Sequence, residues 1–146
     1  MKNNEEKHPL RCILLIDDDL ATNFLHQDVI KSTGVKAHIQ VCHDGQEALD
    51  YLNCEGEFSN EPFFPQPGII FLDINMPGMN GWEFLEVYEK MPSDRKAEIV
   101  VAMLTTSLNL DDHDKAEKTE GVKKYLSKPL KKEYLEELIE KNFKSF

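Results

Sequence analysis

What the chain has little of narrows its reading first. Basic residues are in the minority, with 17 Lys and Arg against 27 Asp and Glu, a net charge of -10 at pH 7. A nucleic-acid-binding surface wants a basic face, so DNA and RNA are poor partners for this chain. Cysteine is scarce: Cys12, Cys42 and Cys54 are odd in number and lack C-x-x-C spacing. Neither a disulfide framework nor a zinc site is indicated. Cys12 and Cys42 fall in predicted strands and read as buried hydrophobes. No apolar run approaches the roughly 20 residues of a membrane span. The opening stretch, Met1 to Pro9, has no apolar signal-peptide core. The five histidines are scattered, with no ligand-like spacing. No internal repeat, low-complexity tract or second domain is visible, and no output module is expected beyond Phe146. These absences describe one reduced, soluble, cytoplasmic domain, whose 146 residues can bury a core without disulfides.

What is present is an alternation. Strands are predicted over 11–16, 37–42, 68–73, 98–104 and 123–127, and helices over 20–33, 44–54, 80–91, 109–120 and 131–144. Alternating strands and helices predict a doubly wound parallel sheet with helices on both faces. Asp44 is a predicted N-cap, with Glu47 completing a capping box, and Asn80 caps the helix carrying Trp82, Leu85 and Tyr88 or Phe84 and Val87 inward. Gly34 and Gly121 stand where C-terminal caps are expected. The last helix places Leu135, Leu138 and Ile139 on one face. The 109–120 helix is polar and weakly anchored, a candidate mobile element. The 55–67 connection is long for a compact domain. Its Phe63-Phe64 pair either packs the loop onto the domain or meets a partner.

The chemistry gathers at the strand ends. Cys12 to Ile16 runs into Asp17-Asp18-Asp19, and Gly68 to Leu72 runs into Asp73. The other two site-bearing strands lead to Thr105-Thr106-Ser107 and to Ser127-Lys128-Pro129. In an open α/β sheet, ligands bind outside the carboxyl ends of the strands. Crowded carboxylates repel one another unless a cation sits among them, and magnesium suits such oxygen ligands. An Asp can act as a nucleophile toward phosphorus. Phosphoryl transfer asks mainly for positioning and charge neutralisation, which Lys128 and magnesium would supply, with Thr105 donating a hydrogen bond.

Four segments in order resemble the receiver domain of bacterial two-component response regulators. They are Ile16-Asp17-Asp18, the run from Leu72-Asp73 to Gly81, Leu104-Thr105, and Tyr125 to Pro129. The resemblance covers about Arg11 to Lys144 and implies a flavodoxin-like (βα)5 fold with strand order 2-1-3-4-5. Residues 1–10 would then be an N-terminal extension and 11–146 the receiver domain. The resemblance makes Asp73 the phosphoacceptor. It gives Asp18 and Asp73 as direct magnesium ligands, Asp17 as a ligand through water or an orienting group, and the Asn75 backbone carbonyl as a further ligand. Lys128 would pair with the phosphoryl group, and the bond before Pro129 would be cis. Thr105 and Tyr125 would form a coupled switch that alters the face built by the 109–120 helix, the fifth strand and the last helix. The implied donor is a histidine kinase or a histidine phosphotransfer protein. The implied output is a target protein bound at that face, or a phosphorelay, with no catalysis beyond the chain's own phosphorylation and dephosphorylation. Asn75 and Ser107 would tune the lifetime of the aspartyl phosphate.

Two alternatives belong to other classes. A phosphatase resembling the haloacid dehalogenase superfamily would use Asp17 as nucleophile in a D-x-D-x-[TV] pattern. Here Asp17-x-Asp19 is followed by Leu20 and Ala21, which breaks the final position. A pseudo-receiver would bind partners without phosphorylation. That reading normally requires a lost acceptor, acid pair or lysine, and all are present.

Overall fold

The computed structural model describes residues 8–55, 66–104 and 122–144, with Asp114 and Lys118 from the stretch between. The five strands are β1 Cys12–Ile16, β2 His38–Cys42, β3 Ile69–Asp73, β4 Ile99–Leu104 and β5 Val122–Ser127. Among the described residues four helices are named: α1 Leu20–Ser32, α2 Gly45–Asn53, α3 Gly81–Glu89 and α4 Lys132–Asn142. Asp114 and Lys118 are helical, and the rest of the predicted 109–120 helix lies outside the described residues. So do Gly121 and the Phe63-Phe64 pair.

The sheet is parallel throughout, in the order β2-β1-β3-β4-β5. This is the doubly wound, flavodoxin-like arrangement. The inner strands β1, β3 and β4 carry short continuous apolar runs because both faces are covered, whereas the edge strands β2 and β5 hold polar residues as well. Successive side chains of a strand point to opposite faces, and the core divides accordingly. Cys12, Leu14 and Ile16 pack with Ile70, Leu72, Phe84, Leu85 and Tyr88 on the side of α2 and α3. Ile13 and Leu15 pack with Ile69, Phe71, Ile30, Leu135 and Leu138 on the side of α1 and α4. Cys12 and Cys42 are fully buried, as hydrophobes would be. Leu10 joins the core, and Pro9 bridges Lys144 at the foot of the domain.

Local signals account for where the helices start. Asn80 accepts from the Glu83 N–H at 2.9 Å, and the Glu83 carboxylate accepts from the Asn80 N–H at 3.1 Å, a complete capping box. Asp44 caps α2 by accepting from the Glu47 N–H, but the Glu47 carboxylate reaches the N–H of His43 instead of that of Asp44. The box is thus offset by one residue, in an extended Asp44 backbone. On α3 the buried side chains are Phe84, Leu85 and Tyr88; Trp82 is half-buried and Val87 exposed. Gly34 takes a φ of +78° just past α1, the left-handed cap conformation that favours glycine.

Helix α1 reverses the usual pattern. Leu20 and Phe24 are 70% and 72% exposed, whereas Asn23 and His26 are 3% and 2% exposed. The first turns of α1 lie over polar backbone at the ends of β1 and β5, and only farther along does Ile30 reach the apolar core.

Gly81 opens α3 directly against the end of β3. Its N–H donates to the Ile74 carbonyl at 2.9 Å. A Cβ at this position would stand 2.7 Å from the Ile74 Cα and 2.8 Å from the Asp73 carbonyl oxygen, both backbone atoms. Gly81→Ala should therefore cost about 1–3 kcal/mol through overpacking, read from urea denaturation. Unchanged stability would show that α3 does not fix the backbone of Asp73.

Candidate functional site

Strand order brings the acidic residues together. β1 and β3 are neighbours with Ile16 opposite Leu72, so the next residues, Asp17 and Asp73, emerge side by side. Their carboxylates and that of Asp18 supply oxygens that all lie within 4.8 Å of one another. Asp17 and Asp73 are buried, and Asp18 is exposed at the mouth. Lys128 follows β5 and reaches across, its Nζ 2.6 Å from Asp17 Oδ2 and 3.3 Å from Asp73 Oδ1. The Lys128–Pro129 peptide bond is cis.

Backbone donors complete the arrangement. Asp17 Oδ1 accepts from the Asp19 N–H at 2.9 Å, so both Asp17 oxygens are engaged. Asp73 Oδ1 accepts from the Asn75 N–H at 3.1 Å as well as holding Lys128. Both contacts of Asp73 fall on Oδ1, and among the described residues Oδ2 takes no hydrogen bond. Asp19 stands at the N-cap position of α1 without a side-chain cap bond; its carboxylate accepts from the Thr22 hydroxyl, which holds it below the usual carboxylate range. Tyr125 lies in β5 opposite Ala102, half-buried against the core. Thr105 follows directly on β4 and, with Thr106 and Ser107, lies outside the described residues.

The electrostatics follow from burial and then from crowding. Burial, then the neighbouring Asp17 charge, pushes the Asp73 carboxyl from an ordinary 3.8 up to about 6, against the pull of Lys128 and the Asn75 N–H. Burial alone would lower the Lys128 ammonium, but Asp17 and then Asp73 outweigh it and leave its pKa raised. One ammonium faces three carboxylates, so the cluster keeps an excess of negative charge. A divalent cation with oxygen ligands fits that donor set and that charge.

Two buried side chains of α1 also belong to this region, and nothing in the sequence reading singled them out. Asn23 Nδ2 donates to the Asp17 carbonyl at 2.8 Å, and His26 Nε2 accepts from the Leu130 N–H at 3.1 Å. Their signal was a polar pair in helical register with Ile30 on the inward face.

Comparison with known proteins gives the chain a family. The model of the response regulator receiver domain matches residues 13–140. The chain belongs to the response regulator receiver family. This receiver is 35% identical over 109 residues to response regulator Rcp1 of Synechocystis sp., covering 75% of this chain and 71% of that one. Among solved structures it is similar to a two-component response regulator from Cytophaga hutchinsonii, with a TM-score of 0.76, 36% identity, and 92% and 97% of the two chains covered. It is similar to the Mn(2+)-bound form of Rcp1, with a TM-score of 0.69, 31% identity and 90% of each chain covered. The phosphorylated cyanobacterial phytochrome response regulator RcpA aligns with a TM-score of 0.70, at 29% identity and 90% of each chain. No helix among the described residues of the receiver is long and apolar enough to cross a membrane.

The raised Asp73 pKa has a pH signature in the metal-free protein. A carboxyl whose folded pKa lies above its unfolded value favours folding when protonated. That stabilisation is fully present below the ordinary 3.8 and is lost as pH rises through about 6. With chelator present, Asp73 should therefore cost stability on the order of 2 kcal/mol between about pH 4 and pH 7. Asp73→Asn should remove that component of the pH dependence, measured by denaturation at each pH. Identical pH profiles for the two proteins would contradict the crowded-carboxylate account.

Proposed function

We propose that this receiver accepts a phosphoryl group on Asp73 from a histidine kinase or a histidine phosphotransfer protein. The observation that carries this reading is the contrast between the two buried carboxylates. Asp17 has both oxygens tied by Lys128 and the Asp19 N–H. Among the described residues Asp73 is anchored through Oδ1 alone, which leaves Oδ2 for bond formation. A nucleophile needs one oxygen held and the other presented, so the contrast favours Asp73 over Asp17 and disfavours the phosphatase alternative.

In the transfer, an Asp73 oxygen bonds to phosphorus as the donor's P–N bond breaks, and the donor imidazole leaves with that electron pair. Asp18 and Asp73, with Asp17 and the Asn75 carbonyl supporting, would hold magnesium, which would supply neutralisation of the phosphoryl oxygens. Lys128 is already placed beside Asp73 and pairs with the incoming group once Asp73 shares its charge. Thr105 contributes a hydroxyl to the same oxygens, and Tyr125 follows it inward. That movement changes the face carrying residues 109–120, β5 and α4, where a target protein binds, or the phosphoryl group passes on in a relay. The receiver acts as a signalling phosphoacceptor in the cytoplasm, catalysing only its own phosphorylation and dephosphorylation. Residues 11–146 make up this domain.

Incubation with magnesium and acetyl phosphate should add one phosphoryl group to the wild-type mass and none to Asp73→Asn. Equal labelling of both would sink the assignment. Magnesium at about one hundred times its dissociation constant should stabilise the fold by about 2.7 kcal/mol. That shift should largely disappear in Asp18→Asn, and its persistence there would remove Asp18 from the ligand set.

A further inference from the structure

Two buried polar side chains, three positions apart on α1, grip the site from outside it. Asn23 holds the backbone carbonyl of Asp17. His26 holds the backbone N–H of Leu130, a bond between positions 104 apart in the chain. The inner face of a helix ordinarily carries apolar side chains, and a buried polar group stands there at a cost of about 1–3 kcal/mol unless it is paired. Here each side chain spends one polar atom on the backbone of a site residue or of a position two residues from one, while Asn23 Oδ1 stays buried without a partner among the described residues. Leu130 lies two residues beyond Lys128, whose ammonium spans Asp17 and Asp73.

The hydrogen bond fixes the state of the ring. Nε2 must carry a bare lone pair to accept from Leu130, so the imidazole is neutral with its proton on Nδ1. Burial favours that neutral form by holding the pKa below 6.5; the Asp17 charge works against this and the Lys128 charge with it.

We propose that His26 is a positioning residue for phosphoryl acceptance: by holding the Leu130 N–H it fixes the turn after β5 and keeps the Lys128 ammonium on Asp17 and Asp73. This deepens the reading of Asp73 as phosphoacceptor and rests on it. Asn23 serves the same arrangement from the β1 side, so one face of α1 ties together the two chain segments whose charges must meet.

The test compares wild type, His26→Leu and His26→Gln in the full chain, by rate of phosphoryl gain from acetyl phosphate with magnesium. In parallel, NMR follows the Lys128 ammonium signal and the exchange of the Leu130 amide. Loss of the acceptor in His26→Leu should slow labelling by about tenfold, since small misplacements of a catalytic group are costly. The ammonium signal should move and the Leu130 amide should exchange faster. Glutamine can return an acceptor to the same N–H, so His26→Gln should recover labelling to within about threefold of wild type. Wild-type labelling and an unmoved ammonium signal in His26→Leu would overturn the proposal. So would a glutamine variant as slow as the leucine one, which would mark His26 as a packing residue. If His26→Leu fails to fold, His26→Met takes its place with the same outcomes. A wild-type chain that takes no phosphoryl group would sink the phosphoacceptor reading instead, and the NMR comparison would still decide the role of His26.

Discussion

The Lys128 ammonium lies between two buried carboxylates, 2.6 Å from Asp17 and 3.3 Å from Asp73. Without it, two anions taken out of water on adjacent strands would repel each other at close range. With it, one of the three clustered charges is balanced in place and the Asp73 carboxyl stays near the threshold of ionisation. The remaining excess charge is what gives the cluster its appetite for a divalent cation.

The fold supports this arrangement by placing β1 between β2 and β3. Asp17 and Asp73 then leave neighbouring strands at the same level, and Lys128 arrives from the far edge of the sheet. Each anchor is reinforced where it leaves the sheet. Gly81 presses α3 onto the Asp73–Ile74 backbone, and the Asn80 capping box starts that helix at a fixed point. On the opposite face, α1 gives up apolar burial in its first turns. Leu20 and Phe24 face outward so that Asn23 and His26 can hold polar backbone beside the site. Stability is concentrated in the middle of the sheet, and the ends are specified by hydrogen bonds.

Much of this was legible in the residues. The inner strands were readable because both faces are covered, which leaves continuous apolar runs such as those of Cys12–Ile16 and of Ile69–Asp73 up to Leu72, and their ends matched within a residue or so. The carboxylates were readable because acidic residues directly after buried strands must share one end of a parallel sheet. Strand order was different: alternation predicts a parallel sheet, but nothing in the periodicity says that β1 sits inside β2 and β3, and only the family resemblance supplied it. The offset of Glu47 toward His43 depends on the local path of the chain, which sequence spacing does not carry. His26 and Asn23 were missed because helix periodicity is read through apolar residues, and here the apolar side chains Leu20 and Phe24 face solvent. A lone histidine shows its use only when its partner, 104 residues away, is placed beside it.

The central claim is that burial first, and the neighbouring Asp17 charge second, hold the Asp73 carboxyl half-ready, and that a divalent cation would complete the site. Calorimetric titration of magnesium near pH 6, repeated in buffers of different ionisation enthalpy, counts the protons released as the ion binds. The account predicts release of a substantial fraction of one proton per cation around that pH, because Asp73 titrates at about 6 without metal and must ionise to bind it. The release should vanish in Asp73→Asn. Tight binding with no proton release in the wild type, or the same release in Asp73→Asn, would contradict it.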